Sequence, residues 1–304
     1  MSNRYSVIDV TRLGVMNVIV PSDAEEILAR RMGSFKANWL QRDPPMGAAY
    51  DVEGLEFDPA KITMEVGTSY QVNIEARINA AARGTSLAFA TGADLDGIAT
   101  RYPGGVPRLN KGLPNEETDD RYRWRIWLAA NAFSTAGAEE AYVFHAMTAV
   151  AELKHVTATV QRTIEGPTVI VTCLLEGSNP IPSTEQLLTV RKALHQPGVK
   201  PLTDIISVME PVVVDTAYDA DVWLRPGPDA SLVLDALHAS LDEHLAASNW
   251  LGGDHTLLGF NGVLARPEVH SALIRAPLTD LHISPRKVVR VKGSPVINVK
   301  GRRS

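Results

Sequence analysis

Cysteine is almost missing from this sequence: Cys173 is the single one in 304 residues. That excludes an internal disulfide framework. Lying inside the apolar run TVIVTCLL, Cys173 reads as a small buried hydrophobe, and the count fits a reducing compartment. Aromatic residues make up only 6%, so any core must lean on Val, Leu, Ile and Ala. No run approaches the ~18 apolar residues of a membrane span. The N-terminal stretch carries charges and lacks the apolar centre of a secretory leader. Neither GxGxxG nor the phosphate-cradling GxxxxGK[ST] occurs, and the eight histidines form no HExxH or Cys/His zinc pattern. No cofactor or metal is expected. A net charge of −5 does not mark the chain as a whole as a nucleic-acid binder.

What is present is an ordinary globular composition, 45% hydrophobic and 21% charged, long enough for two or three domains. Ser22 stands three residues before Glu25, a capping-box spacing that announces a helix. Leu28, Met32, Phe35 and Trp39 follow at spacings of four, three and four, on one stripe, with Arg30, Arg31 and Lys36 between them. The stripe fits either packing on this protein's own core or a seam for a partner helix, and no long helical partner stands out nearby. Asp58 followed by Pro59 starts a second helix that runs to about Arg83, with Gly67 as a candidate interruption. Thr91 and Asp94 give another capping spacing before Leu95, Ile98, Ala99 and Tyr102. A helix from about Asp119 to Phe133 pairs an apolar side (Tyr122, Ile126, Ala129, Phe133) with a basic one (Arg121, Arg123, Arg125).

From about residue 155 the periodicity changes. HVTATVQR and PTVIVTCLLEG read as strands, Ser183 caps a helix, and LTDIISVMEP is a third strand. VVVDTAYDADVWLRPG reads as one long strand, PDASLVLDALHASLDEHLAA as a strong helix and EVHSALIRAP as a strand, and the tail supplies one or two more. The expected fold is α+β: a helical N-terminal half followed by two small α+β units of ferredoxin-like or split βαβ type. The expected divisions are 1–57, a segment with an amphipathic helix; 58–150, a helical domain; and the α+β units 151–210 and 211–304.

Several stretches imitate chemistry. GTSLA, around Ser86, has the letters of a nucleophile elbow but follows a helical segment instead of a strand. GADLDG lacks both end ligands of a calcium loop. Asp235, His238 and Asp242 share a helix face, but no second helix repeats the pattern. NAFSTAGAEEAYVFHA brings Ser134 and Thr135 near Glu139, Glu140 and His145. Thr135 and His145 are separated by about 15 Å along an ideal helix, too far for proton transfer. The hydroxyls are better read as helix caps and the acids as first-turn charges. After Asp280 there is no acidic residue, while Arg286, Lys287, Arg290, Lys292, Lys300, Arg302 and Arg303 are basic. Those cations read as protection of an edge strand or as contacts for an acidic protein partner; nucleic acid is the weaker alternative.

INAAARGTSLAFATGADLDGIATRY, DDRYRWRIWLAANAFSTAGAEEAYVFHAMTA, VKPLTDIISVMEP, VWLRPGPDASLV and VLARPEVHSALIRAPLTDLHIS occur in this order. Together they resemble the baseplate assembly protein J family of contractile-tailed bacteriophages and related injection systems, over roughly residues 60 to 285. The resemblance implies a non-enzymatic, structural baseplate wedge subunit with no catalytic residue or cofactor. It implies two copies per wedge and a smaller protein I-type partner joined partly through N-terminal helices. It further implies C-terminal domains that pair to close a ring around the central hub, and a sheath initiator docking on the wedge. The location implied is the virion baseplate, with assembly in the host cytoplasm.

Overall fold

The computed structural model describes residues 18–303 except 22, 50–56, 103–104, 133–137, 165, 178, 202 and 228. The chain separates into two compact units, one within 5–107 and one within 108–304.

In the first unit, α1 (Ala24–Arg42) is capped by Asp23, whose carboxylate accepts from the Glu25 N–H. Ser22, expected to cap it, lies outside the described residues. The short α2 (Pro44–Ala49) folds back so closely that a Cβ on Gly47 would stand 2.6 Å from the Leu40 backbone nitrogen. Asp58 caps α3 (Pro59–Gly84) by accepting from the Ala60 and Lys61 N–H groups, with Pro59 at the first turn, where no donor is needed. α3 runs unbroken through Gly67, contrary to the expected interruption. The glycine serves a close approach: a Cβ there would meet the Arg31 guanidinium at 2.1 Å. Arg31 then donates to Gln71 and Gln71 to Glu75, lacing α1 onto α3. α4 (Gly92–Ala99) buries Leu95, Ile98 and Ala99 as its spacing requires, although Thr91 makes no side-chain cap.

The second unit opens with α5 (Asp119–Ala132) and α6 (Glu139–Ala149). β1 (Leu153–Thr163) and β2 (Gly166–Leu175) form an antiparallel hairpin. After α7 (Thr184–Leu194), with its complete Ser183–Gln186 capping box, β3 (Ile205–Met209) lies parallel beside β2. The α+β expectation holds, with one topological difference. β2–α7–β3 places its parallel strands side by side, in a sheet of order β1-β2-β3, and no strand is inserted as in a split βαβ.

The stretch read as one long strand is two, β4 (Val212–Thr216) and β5 (Asp219–Leu224). α8 (Ala230–Ser248), α9 (Leu257–Leu264), β6 (Val269–Ala276), β7 (Lys287–Val291) and β8 (Val296–Arg302) complete the unit. β4 pairs in parallel with β7, whereas β5 sits between β6 and β8. The two segments break together: Lys292 N–H donates to Thr216 and Val296 N–H to Tyr218 across the gap, so both chains change sheet at the same level. At that break Tyr218 turns into a core with Ala220, Val222 and Leu224 from β5, Leu237 and Leu241 from α8, and Phe260 from α9. Leu174, Leu251 and Val288, with Val213, join the first sheet to the β4–β7 pair. The two α+β parts therefore share apolar contacts.

Candidate assembly surfaces

α1 packs against α3, so the N-terminal helix does have an internal partner. Its fully buried residue is Ile27, and Leu28, Met32, Phe35 and Trp39 are each half-buried on the flank. The buried face is rotated by about one residue from the apolar stripe. Arg31 occupies it, its guanidinium lying over Gly67 and donating to Gln71. Phe35 and Trp39 meet edge to face at 5.4 Å. A groove of about 440 Å³ between the two helices is lined by Arg30, Phe35, Asn38 and Met64 among others.

α3 carries the surface that the sequence reading missed. Ile62, Val66, Tyr70, Ile74 and Ile78 follow one another every four residues and are 39 to 67% exposed. Side chains four apart are neighbours, each step turning about 40°, so these five make an apolar ridge that slants across the exposed side of the helix. Single exposed apolar residues need no explanation, but an aligned row of five does. The signal was present as an i, i+4 repeat, hidden because the intervening Glu65, Thr68, Ser69 and Gln71 make the segment look polar.

The three arginines of α5 do not form a basic face. Arg125 is fully buried and gives Nε and Nη2 to the two oxygens of Glu117, at 3.0 and 2.6 Å. Arg121 also donates to Glu117, and its other nitrogens reach the Met147, Val150 and Leu153 carbonyls. Arg123 pairs with Asp120. Leu109 N–H donates to Glu117 as well, and Arg108 sits between Asp119 and the Tyr122 ring. Burial raises the Glu117 pKa, but the Arg125 and Arg121 guanidiniums outweigh it and hold the carboxyl below its ordinary 4.5. This hub ties the loop 108–118 to α5 and α6 and is structural.

The basic tail is largely engaged within the fold. Arg286 donates to Gln161 and Met209, Arg290 grips Asp215 with two nitrogens, and Arg303 covers the Trp223 ring at 4.1 Å. β6 bulges at His270 and Arg275, and β8 at Lys300, each the residue skipped in the pairing with β5. The bulges turn Arg275 and Lys300 onto Asp221, which is 2% exposed in the central strand. The Arg275 hydrogen bond leads in lowering the Asp221 pKa. Bulged, charged edges resist pairing with foreign strands. Lys287, Arg290, Lys292, Lys300, Arg302 and Arg303 are exposed, and Arg286 is half-buried.

The stretches that imitate chemistry come apart. Ser134 and Thr135, read as caps, lie outside the described residues; α6 begins after Ala138, which makes no side-chain cap. Glu139 and Glu140 do sit in the first turn. His145 is drawn toward the Ala132 carbonyl, while burial, the larger effect, lowers its pKa. Ser86 lies in the turn after α3, with no strand before it. Asp235 and Asp242 are exposed, His238 is half-buried, and among the described residues no three ligand-type side chains gather as a metal site. Cys173 is buried, its thiol pushed up to about 12. No helix among the described residues is long and apolar enough to cross a membrane.

Comparison with known proteins points the same way as the motifs. Residues 56–110, which include all of α3 and α4, match the Baseplate J-like N-terminal domain. Baseplate protein J of Escherichia phage P2 is 28% identical over 283 residues, covering 90% of this chain and 92% of that protein. The resemblance to the baseplate protein J family, read from the order of the motifs, is borne out along nearly the whole chain.

Proposed function

We propose that this protein is a structural subunit of the baseplate of a contractile tail and has no catalytic role. The observation that carries this reading is the similarity to the phage P2 protein along 90% of the chain. In the finer reading it is a wedge subunit, present in two copies with a protein I-type partner. It links wedges into a ring around the hub and receives the sheath initiator. The apolar ridge on α3 is the surface best suited to a partner helix, because i, i+4 ridges are how one helix packs into the grooves of another. Segment 1–57 and the helical region 58–150 serve that contact, 151–210 is the first α+β part, and 211–304 is the self-association part. Lys287 and Lys292, both exposed, are the tail cations proposed to meet an acidic partner surface. Assembly takes place in the host cytoplasm and the product resides in the virion baseplate.

The test is co-expression with a protein I-type product from the same genome, followed by size-exclusion chromatography with light scattering. A complex holding more than one copy of this chain supports the reading. A chain that stays monomeric and never co-elutes with tail proteins contradicts it. Val66→Glu combined with Ile74→Glu should abolish the complex and leave the melting temperature within a few degrees.

A further inference from the structure

The Tyr218 hydroxyl lies 2.5 Å from Nδ1 of His255, whose ring is 3% exposed. Among the described residues that is the hydroxyl's one hydrogen bond; we assign the hydroxyl as donor, the choice that leaves no O–H proton unbonded, which places the neutral ring's hydrogen on Nε2. Nε2 is buried with no hydrogen-bond partner. His255 also sits at the centre of two loops strapped to each other. Its backbone exchanges both hydrogen bonds with Leu281, at 3.0 and 2.9 Å. Asp254 accepts from Ile283 N–H at 2.7 Å and faces His282, and Asp280 reciprocally accepts from Leu257 N–H at 2.7 Å.

We propose that loops 249–256 and 278–286 form an acid-sensitive latch with His255 as its trigger: charging the imidazole breaks its bond with Tyr218 and parts the loops while α8 and the sheets stay folded. Protonation makes Nδ1 a donor facing a donor. The hydroxyl must reverse, which leaves its own proton without an acceptor in an apolar core. The groups around the ring are Tyr218, His244, Asp254 and the Ser248 carbonyl, with Asn249 and Arg290 lining the same cavity of about 270 Å³. Burial and then His244 oppose the charge; the Ser248 carbonyl and Asp254 favour it; the balance lies below the ordinary 6.5. A depressed histidine stabilises the closed latch fully above 6.5, and that contribution is lost as pH falls from there toward the closed-state value. Opening uncovers Ile283, buried in the closed latch, giving an apolar surface conditional on acid. This inference stands apart from the baseplate reading.

Hydrogen–deuterium exchange of the full chain at pH 7.5 and 5.0, corrected for intrinsic rates, tests it. Opening of peptides spanning 249–256 and 278–286 should increase by up to about tenfold for each pH unit below the free-histidine value. Peptides from β2 and the middle of α8 should keep their protection. His255→Gln, whose amide accepts from Tyr218 without titrating, should abolish the pH dependence. Tyr218→Phe removes the bond that favours the neutral ring and should move the opening midpoint to higher pH; it also serves if His255→Gln does not fold. Equal protection at both pH values, loss shared with β2, persistence of the effect in His255→Gln, or an unmoved midpoint in Tyr218→Phe overturns the proposal.

Discussion

Replacing Glu117 by Gln should be among the most damaging single-atom changes in this molecule. The Glu117 and Arg125 side chains are both fully buried, and Arg121 leans on the same carboxylate. The neutral amide keeps the shape but cannot accept from the Arg125 fork at both ends, and it leaves a guanidinium charge without its counter-charge. Removing one partner of a buried ion pair costs about 3–5 kcal/mol. For a folded unit of this size, each kcal/mol moves the midpoint by about 2–4 °C, so a fall of roughly 6–20 °C is expected in scanning calorimetry. The same carboxylate sets an acid limit. Its pKa is depressed, so its contribution is present above its ordinary 4.5 and is lost as pH falls below that. The Glu117→Gln protein should accordingly lose less stability than the parent between pH 5 and pH 3. Glu117→Leu combined with Arg125→Met removes the fully buried pair and should recover part of the loss, with Arg121 keeping its three carbonyl acceptors. A Glu117→Gln variant less than about 1 kcal/mol below the parent in urea unfolding would refute the assigned role.

Gly47→Ala places a methyl group against the Leu40 backbone, which cannot move aside as a side-chain end would, and should cost about 1–3 kcal/mol by overpacking, read by urea denaturation. Leu237→Ala empties a fully buried site under β5 and should cost about 2–5 kcal/mol in the same assay. Phe35→Ser with Trp39→Ser should weaken the first unit as well as partner binding, because both rings are half-buried against this chain, and circular dichroism melting will register it. Cys173 should stay unreactive toward a disulfide reagent at pH 8 in the native chain and react at once in urea.

Much of this architecture is legible in the residues. Asp58–Pro59 and Ser183 announce helices that begin where expected, and the Val- and Thr-rich runs from 155 to 175 form the predicted hairpin. The misreadings share one cause: a pattern within one element does not name its tertiary partner. Gly67 looks like a helix breaker until Arg31 is found over it. Residues 212–224 alternate as one strand, and nothing local reveals that the pairing chain changes sheet at Thr216. Arg121, Arg123 and Arg125 look solvated because Glu117, which buries two of them, precedes the helix in a loop. The tail cations look available because Asp215 and Asp221 are remote in sequence. The apolar row on α3 was readable by spacing alone and was obscured by polar neighbours.

The central claim is that this chain is a building block of a tail baseplate. Electron microscopy of purified contractile particles from the producing cells, labelled with a gold-conjugated antibody raised against this chain, tests it most directly. The account predicts label at the baseplate end of the tail in intact particles. Label confined to the head or to the sheath wall, or particles that carry none of this chain while it accumulates free in the lysate, would contradict it.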